Sequence, residues 1–426
     1  MSISLIQKYN VPGPRYTSYP TVPYWEENQF WFELWKKTLL QSFIESNSSE
    51  GISLYIHLPF CESLCTFCGC HKRITKRHEV EMPYVSAVLK EWDLYCKMFP
   101  EKPMIKEIHL GGGTPTFFSP KHLTELLEGI LAKATIATEY EFSFEGHPNN
   151  TTREHLETFY NLGFRRVSFG VQDYSPKVQK AINRIQPFEN VEKVTLWTKE
   201  IGYESISHDL VFGLPFQELD DVLYTIEKTN ALSPDRLAFY SYAHVPWIKG
   251  NGQRGFKDED VPKDDVKRKL YEEGKKLLAA KGYHEIGMDH FAIEKDSMYQ
   301  SYKNGTLHRN FMGYTASKTQ VMIGLGVSSI SDSWYSFAQN EKELESYYDR
   351  LDNNEIPVFK GHILTDEDLK IRKHILNLMC TFTTSWDNHL YFEELPEVIA
   401  QLREMEQDGL ISIEENSLTI NEKGTK

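Results

Sequence analysis

The chain has 426 residues, 40% hydrophobic and 25% charged, which is typical of a globular protein with one large domain and a smaller one. A formal net charge of −14 disfavours a nucleic acid or an anionic membrane as the main partner. The first twenty residues lack the apolar core of a secretory signal, and apolar stretches such as Val321–Ile330 are too short to span a bilayer. We therefore expect a cytoplasmic protein.

Six β-rich segments alternate with amphipathic helices such as Pro83–Met98 through the first two thirds of the chain. The predicted strands are Leu54–Leu58, Ile105–Leu110, Glu141–Glu145, Arg166–Gly170, Ser205–Phe212 and Arg236–Tyr242. Alternating strands and helices predict an α/β fold with a parallel sheet, and six units predict a partial (β/α)6 barrel. Ligand-binding groups should collect at the carboxyl ends of its strands.

The last third of the chain changes character. Lys257–Lys276 carries mixed charge and is predicted to be a solvated linker and helix face, and the strand-like Glu285–Phe291 precedes a stretch predicted to be rich in loops as far as about Gly361. Two helices and two strands are then predicted: Asp366–Cys380, Leu395–Asp408, Leu410–Ile413 and Ser417–Ile420. They resemble a winged helix, whose acidic residues favour a structural or lid role. We expect an N-terminal arm and helix (1–50), a catalytic domain (51–361) and a mostly helical C-terminal domain (362–426).

Four of the six cysteines lie between positions 61 and 70, directly after the first strand. Cys61, Cys65 and Cys68 have the close spacing of thiolates that hold an iron–sulfur cluster. Three thiolates leave the fourth iron of a [4Fe–4S] cluster without a protein ligand, so the amine and carboxylate of S-adenosylmethionine can chelate it. An electron from the reduced cluster then breaks a carbon–sulfur bond and releases a 5′-deoxyadenosyl radical.

A structural zinc site is the alternative for these cysteines. Zinc sites usually combine two separated ligand pairs, and Cys68 and Cys70 are too close together to belong to two such pairs. Cys70 is either a functional fourth cysteine or a bystander thiol. Cys96 and Cys380 lie on apolar helix faces and are predicted to be inert core thiols.

Glycines 111–113 follow the second strand and allow the backbone to approach a ligand closely, although a tight turn would also explain them. Their position suits the aminoacyl end of S-adenosylmethionine. Polar side chains at or near the ends of later strands predict a ring of ligand groups on one rim, although each alone is more often a helix cap or a satisfied polar group. They are Glu145, Gln172, Asp173, Asp209 and His244, and Arg184 is a candidate to pair with a carboxylate.

From Leu5 to about Gly424 the chain resembles the oxygen-independent coproporphyrinogen III oxidases of the radical S-adenosylmethionine superfamily. The most specific stretches are residues 13–21 (GPRYTSYPT), 61–70 (CESLCTFCGC), 110–116 (LGGGTPT), 169–173 (FGVQD), 287–291 (GMDHF) and 307–311 (LHRNF). The resemblance implies conversion of coproporphyrinogen III to protoporphyrinogen IX in anaerobic haem synthesis. Two propionates become vinyl groups with loss of CO2, and an unidentified donor and acceptor exchange electrons with the enzyme.

The resemblance also implies residue roles. Cys61, Cys65 and Cys68 match the cluster ligands, and contacts to a first S-adenosylmethionine match Tyr55, Gly112, Glu145 and Ile330. Contacts to a second S-adenosylmethionine match Phe67, Gly113, Thr114, Gln172, Arg184, Asp209 and Ala243. Candidates for the catalytic and substrate-binding groups are Arg15, His57, Cys70, His290 and Arg309.

The chain departs from the family pattern in two places. Residues 145–148 read EGHP where many members have Glu-Val-Asp-Pro, and members continue beyond the position of Lys426 into a final helix, so the resemblance implies a truncated C-terminal domain. The alternatives are a haem chaperone or a haem-opening methyltransferase of the same superfamily, and a zinc-stabilised interaction protein. Cys70 and the arm at 15–21 favour the oxidase over the chaperone. We expect a monomer.

Overall fold

The structure is a computed structural model that describes residues 5–9, 11, 13, 17–27, 31–247, 252–387 and 389–425. Its α-helices are α1 (Leu5–Tyr9), α2 (Phe32–Ser46), α3 (Glu81–Met98), α4 (Pro120–Leu131), α5 (Arg153–Asn161), α6 (Pro176–Ala181), α7 (Phe188–Ile201), α8 (Leu219–Leu232), α9 (Asp264–Ala280), α10 (Ser297–Lys303), α11 (Leu344–Asp352), α12 (Asp366–Thr381) and α13 (Leu395–Gln407). No helix among the described residues has the length and apolar character needed to cross a bilayer.

The strands of the first two thirds are β1 (Ile52–Leu58), β2 (Phe60–Cys61), β3 (Arg73–Ile74), β4 (Met104–Gly112), β5 (Thr135–Gly146), β6 (Arg166–Gln172), β7 (Ser205–Phe212) and β8 (Arg236–Ser241). The later strands are β9 (His284–Gly287), β10 (His290–Ala292), β11 (His308–Asn310), β12 (Gly313–Thr315), β13 (Val321–Leu325), β14 (Ile330–Ser333), β15 (Ser336–Asn340), β16 (Val358–Ile363), β17 (Thr383–Ser385), β18 (Ile411–Ile413) and β19 (Ser417–Ile420).

Twelve strands form one large sheet in the order β16-β15-β14-β13-β1-β4-β5-β6-β7-β8-β10-β9. The six predicted strands are the parallel run from β1 to β8 at its centre, which confirms the predicted α/β fold class. Every residue of β1 is buried, as expected for a parallel strand covered on both faces. The main hydrophobic core lies between these strands and the surrounding helices, with Trp35, Trp92 and Tyr95 among its largest buried side chains.

The prediction of a loop-rich stretch from residue 292 to about Gly361 is wrong. This part of the chain adds four strands to the large sheet, of which β13 pairs parallel with β1 and β14 to β16 follow antiparallel. All residues of β13, β14 and β15 are buried. Because β14 and β15 are short and contain Ser, Asp, Gln and Asn, no run of apolar residues marks them as strands.

The C-terminal part contains α12, α13 and a small sheet in the order β17-β19-β18. The two predicted strands are present, and β17 was not predicted because its sequence, Thr-Thr-Ser, is as typical of a loop as of a strand. α12 begins after Thr365, whose hydroxyl accepts a hydrogen bond from the backbone amide of Asp368 at 3.1 Å. The last strand of the large sheet ends at Ile363, and the division into residues 1–50, 51–361 and 362–426 stays a prediction.

Candidate active site

The cysteine loop, residues 61–70, begins shortly after β1 ends at Leu58. β2 holds Cys61 in a two-stranded parallel pairing with β3, in which Cys61 lies opposite Ile74. Further along, the backbone amide of Thr66 donates to the carbonyl of Ile182 at 2.8 Å, and the side chain of Asn183 donates to the carbonyl of Leu64 at 2.7 Å. The loop is therefore attached both to the strand that precedes it and to the segment that follows α6.

The three predicted cluster ligands are free, partly buried thiols with polar neighbours. Cys61 Sγ lies 3.3 Å from Thr114 Oγ1, and Arg184 Nη1 donates to Cys65 Sγ at 3.6 Å. Burial, followed by the nearby Cys68 and Cys65, raises the pKa of Cys61 to about 11. A metal-bound cysteine is a thiolate, so a bound cation would supply the charge that this site needs to ionise Cys61.

The thiols of Cys68 and Cys70 are hydrogen-bonded to each other, which lowers the pKa of Cys68 and raises that of Cys70. Lys72 Nζ donates to the backbone carbonyls of Cys68 and Cys70 at 3.0 and 3.1 Å and so fixes this end of the loop. Within the described part of the chain, no three His, Cys, Asp or Glu side chains converge as ligands of a single metal ion.

The glycine run, residues 111–113, lies against the end of β1. Gly112 has φ +109°, and a Cβ on it would come within 2.6 Å of the His57 imidazole. The amide of Gly113 donates to the carbonyl of Leu58 at 2.9 Å, and a Cβ there would come within 2.6 Å of the Pro59 backbone. Only glycine leaves room for these approaches, so the run is both a tight turn and a narrow surface beside the cysteine loop.

A cavity of about 940 Å³, including its open mouth, lies among the parallel strands. Tyr55, Glu145, Asp209 and His290 line it, which brings together four predicted site residues from four strands. The amide of Gly112 donates to Glu145 Oε2 at 3.4 Å, so the glycine run contacts one residue of the cavity wall.

Two titratable groups of this region have shifted pKa values. Burial raises the pKa of Asp209 to about 7, although Ser168 Oγ donates to its carboxylate at 2.7 Å. Burial lowers the pKa of His57 to about 4. Tyr55 Oη donates to His57 Nδ1 at 3.0 Å, and His57 Nε2 donates to the carbonyl of His71 at 3.0 Å, so His57 is a neutral imidazole at pH 7.

Known proteins similar to this chain are consistent with this geometry. The family model described as "Radical SAM superfamily" matches residues 55–229. The oxygen-independent coproporphyrinogen III oxidase of Escherichia coli (strain K12) is 35% identical over 431 residues, covering 99% of this chain and 92% of the relative. That of Helicobacter pylori (strain J99 / ATCC 700824) is 36% identical, covering 98% and 92%. The solved structure of coproporphyrinogen III oxidase (HemN) from Escherichia coli, described as a radical SAM enzyme, has a TM-score of 0.90 at 32% identity, covering 96% and 94%.

The chain belongs to the oxygen-independent coproporphyrinogen III oxidase family. Membership in the radical SAM superfamily implies a [4Fe–4S] cluster and S-adenosylmethionine as cofactors, which confirms the two cofactor types predicted from the cysteine loop. Arg184 fits such a cofactor, because its buried Nε has no hydrogen-bond partner among the described residues and could bind a carboxylate.

The remaining residues that match the family's cofactor contacts lie near Arg184 and the cysteine loop. Gln172 has φ +68°, and its side chain lies beside Gly170, whose carbonyl accepts a hydrogen bond from Arg184 Nη2. Gln253 Nε2 links Phe67 to Ala243 by donating to their carbonyls at 3.3 and 2.7 Å.

The backbone of Ile330, rather than its side chain, lies near the predicted cofactor contact Tyr55. Its side chain packs with Trp25 and Phe337, whereas its backbone lies against Gly324, which pairs with Tyr55 across β1 and β13.

The candidate substrate-binding residues are less closely grouped. His290 Nε2 accepts a hydrogen bond from Tyr240 Oη at 3.2 Å at the cavity wall. Arg309 is buried beside the cavity, with its guanidinium 5.4 Å from the Tyr314 ring centroid. Arg15 lies outside the described residues. The roles of all these residues stay predictions.

Two rim residues have structural partners. Asp173 accepts hydrogen bonds from the amide of Ser175 at 2.5 Å and from Gln217 Nε2 at 2.7 Å, so it satisfies backbone and side-chain donors at the start of α6. His244 Nε2 donates to Asp258 Oδ1 at 2.8 Å. Neither lines the cavity.

Sequence reasoning missed several cavity-lining residues, including His109, Ser143, Arg166, Ser168 and Arg236. Side chains two positions apart on a strand face the same side, so the predicted roles of Glu145 and Asp209 could have indicated Ser143 and Ser207. That signal is a period of two within each strand.

Proposed function

We propose that this protein converts coproporphyrinogen III to protoporphyrinogen IX without oxygen. The observation that carries the proposal is a chain of contacts from the cavity to the cysteine loop, in a chain 35% identical to an oxygen-independent coproporphyrinogen III oxidase over 99% of its length. Glu145 lines the cavity and accepts a hydrogen bond from Gly112 of the glycine run, and Thr114, just after that run, contacts Cys61. The relatives' names favour this reaction over the haem chaperone alternative. Each of two propionates would lose CO2, one hydrogen atom and one electron to become a vinyl group.

The bound cofactors would supply the radical. When bound, the reduced cluster and S-adenosylmethionine generate the 5′-deoxyadenosyl radical that removes the hydrogen atom from a propionate. Cys61, Cys65 and Cys68 would hold three irons, and Tyr55, Gly112, Glu145 and Ile330 would contact the S-adenosylmethionine beside them. Apart from the catalytic candidate Cys70, the chain's part is to bind and orient the cofactors and the substrate.

We further propose a second S-adenosylmethionine site next to the first. Its contacts would be Phe67, Gly113, Thr114, Gln172, Arg184, Asp209 and Ala243. Asp209 suits ribose hydroxyls when ionised, and its pKa of about 7 means that this contact weakens as the pH falls below neutrality. Arg184 suits a carboxylate because its Nε is buried and has no partner among the residues that the structure describes. Two cofactors would match the two decarboxylations.

Substrate carboxylates require cations or hydrogen-bond donors. Arg15, His57, His290 and Arg309 are the proposed groups, with Cys70 beside the cluster as a further catalytic candidate. His57 would act as a neutral imidazole because burial keeps its pKa near 4. A monomeric state, a cytoplasmic location, and an electron donor and acceptor separate from the chain complete the proposal.

The test uses anaerobically purified protein with its cluster, S-adenosylmethionine, dithionite and coproporphyrinogen III. We expect 5′-deoxyadenosine and a divinyl product, separated by chromatography and identified by mass. Formation of 5′-deoxyadenosine without any decarboxylated product, together with tight haem binding, would contradict the proposal in favour of the chaperone.

A further inference from the structure

A basic segment follows the cysteine loop directly. Residues 71–78 (HKRITKRH) contain four Lys or Arg and no acid, although the whole chain has a net charge of −14. Arg73, Ile74, Lys76 and Arg77 are all exposed, and Ile74 is an apolar side chain 43% exposed among the cations. We call these four residues the basic patch.

The basic patch is attached to the first cluster ligand. Ile74 lies opposite Cys61 in the pairing of β2 and β3, and the amide of Thr75 donates to the carbonyl of Cys61 at 2.9 Å. The amide of Arg73 donates to the carbonyl of Pro59 at 2.8 Å. A protein docked on the patch would therefore lie close to Cys61, a proposed iron ligand, because a backbone hydrogen bond joins the segment directly to that residue.

Aromatic packing makes this connection rigid. The ring of His78, at the end of the segment, stacks on Phe117 with centroids 4.6 Å apart and planes 15° apart. Phe117 in turn packs against Phe60, the residue before Cys61, with centroids 5.7 Å apart. Both phenylalanines are buried, so the segment and the cysteine loop share one support.

The charges of the patch are only partly neutralised within the chain. Lys76 and Arg77 make no ion pair among the described residues. Arg73 pairs with Glu345 at 2.9 Å, but the two side chains are 51% and 66% exposed, and such a surface pair contributes little to stability. The exposed acids Glu62, Glu79 and Glu343 also lie near the segment. Because Lys76 and Arg77 make no ion pair with any described residue, they are the cations of the patch that a partner protein can pair with most readily.

We propose that the basic patch is the docking surface for an acidic protein that carries single electrons at low potential. The proposal rests on the proposed function, which requires the cluster to be reduced. The carrier would lose one electron and the cluster would gain it, with no bond made or broken between the proteins. Opposite charges steer such an encounter, and Ile74 supplies an apolar contact at its centre.

The first experiment measures binding of a bacterial flavodoxin and, separately, of a [4Fe–4S] ferredoxin to the cluster-loaded protein by calorimetry at low ionic strength. We expect one of these carriers to bind, and the double variant Lys76→Glu/Arg77→Glu to weaken that binding about tenfold. The control, Lys37→Glu/Lys269→Glu, changes net charge equally at exposed positions on α2 and α9 and should change the affinity less than twofold. Equal losses in both double variants, or no binding of either carrier to the unchanged protein, would overturn the proposal.

A second variant is expected to strengthen carrier binding instead of weakening it. Glu345→Gln removes the acid that pairs with Arg73, so it should strengthen carrier binding about twofold. The rate of cluster reduction, followed by absorbance, should fall in the Lys76/Arg77 variant with the carrier but stay unchanged with dithionite. A slower reduction with dithionite as well would mean a damaged cluster site and overturn the docking role. Decarboxylation driven by dithionite tests the proposed function independently.

Discussion

At the scale of single residues, the cysteines of this chain differ in what their neighbours offer them. Burial raises the pKa of Cys61, Cys96 and Cys380 alike to about 11. Only Cys61 also has two cysteines near enough to affect its pKa and a hydroxyl, Thr114 Oγ1, at 3.3 Å. Cys96 and Cys380 pack against apolar side chains instead. A metal cluster can thus form at one place and not at the others.

We expect Cys65→Ala to abolish cluster assembly, because two thiolates cannot hold a cubane that needs three protein ligands. The matched variant Cys96→Ala removes a partly buried thiol of the core and should leave the cluster intact. Iron and sulfide content after anaerobic purification is the measurement. Equal iron content in the two variants would contradict the ligand assignment.

A second residue-scale prediction concerns Gly112→Ala. An alanine there adopts φ +109° at a cost of about 1–3 kcal/mol, and its Cβ would collide with His57 at 2.6 Å. Gly282→Ala is the control, because Gly282 has φ +88° with no atom within 4 Å of an added Cβ. We expect both variants to lose stability and only Gly112→Ala to lose S-adenosylmethionine affinity, about tenfold or more by equilibrium dialysis. Equal affinity in both would contradict the placement of the cofactor beside Gly112.

At the scale of elements, the central strands were predictable and the strands beyond them were not. β1 and β4 to β8 are six to twelve residues long and alternate with helices along the chain, so pattern alone finds them. β14 and β15 are short and polar, and some of their buried side chains have hydrogen-bond partners distant in sequence. Asn340 Nδ2, for example, donates to Glu91 Oε1 at 2.6 Å. A hydrogen bond between residues so far apart leaves no recognisable pattern in the sequence around either one. For the same reason, Ile330 could be assigned to the site only because the chain resembles a known family.

Glu91 shows what those distant partners do. It is fully buried on α3 and accepts hydrogen bonds from Tyr347 Oη at 2.6 Å, Asn340 Nδ2 at 2.6 Å and the amide of Gly326 at 2.8 Å. Gly326 lies against the backbone carbonyl of His57, so this network supports the end of β1 from which the cysteine loop starts.

The pKa of Glu91 leads to a pH prediction. Burial raises it to about 7 in the folded protein against 4.5 for an exposed glutamate. Between these values the folded state holds the extra proton, so the free energy of unfolding falls as the pH rises from about 4.5 to about 7. The stability difference between the unchanged protein and Glu91→Gln should shift by up to about 3 kcal/mol over that range. Urea unfolding at several pH values checks it, with Glu128→Gln on the exposed face of α4 as control. A difference independent of pH would contradict the prediction.

At the scale of the whole molecule, α1 contacts the C-terminal part of the chain. Lys8 Nζ and Tyr9 Oη on α1 both donate to Asp408 Oδ2, at 2.5 and 2.7 Å, across about 400 residues of sequence. Leu5 and Tyr9 also pack against the core formed by Leu410, Ile411 and Leu418. Further along the arm, Trp25 stacks on Phe337 with ring centroids 5.2 Å apart. The arm is thus held by the C-terminal part at one point and by the large sheet at another.

This arrangement predicts that the C-terminal part controls the order of the arm. Asp408→Ala removes the acceptor shared by Lys8 and Tyr9, so the amides of α1 should exchange hydrogen several-fold faster while the central strands keep their protection. Hydrogen exchange followed by mass spectrometry measures both in one experiment. Glu415→Ala removes an exposed acid from the turn between β18 and β19 and serves as the control, with no expected change at α1. Unchanged exchange in Asp408→Ala would contradict the prediction, because it would mean that the apolar packing of Leu5 and Tyr9 and the ion pair of Lys8 with Glu404 at 2.8 Å hold the helix without Asp408.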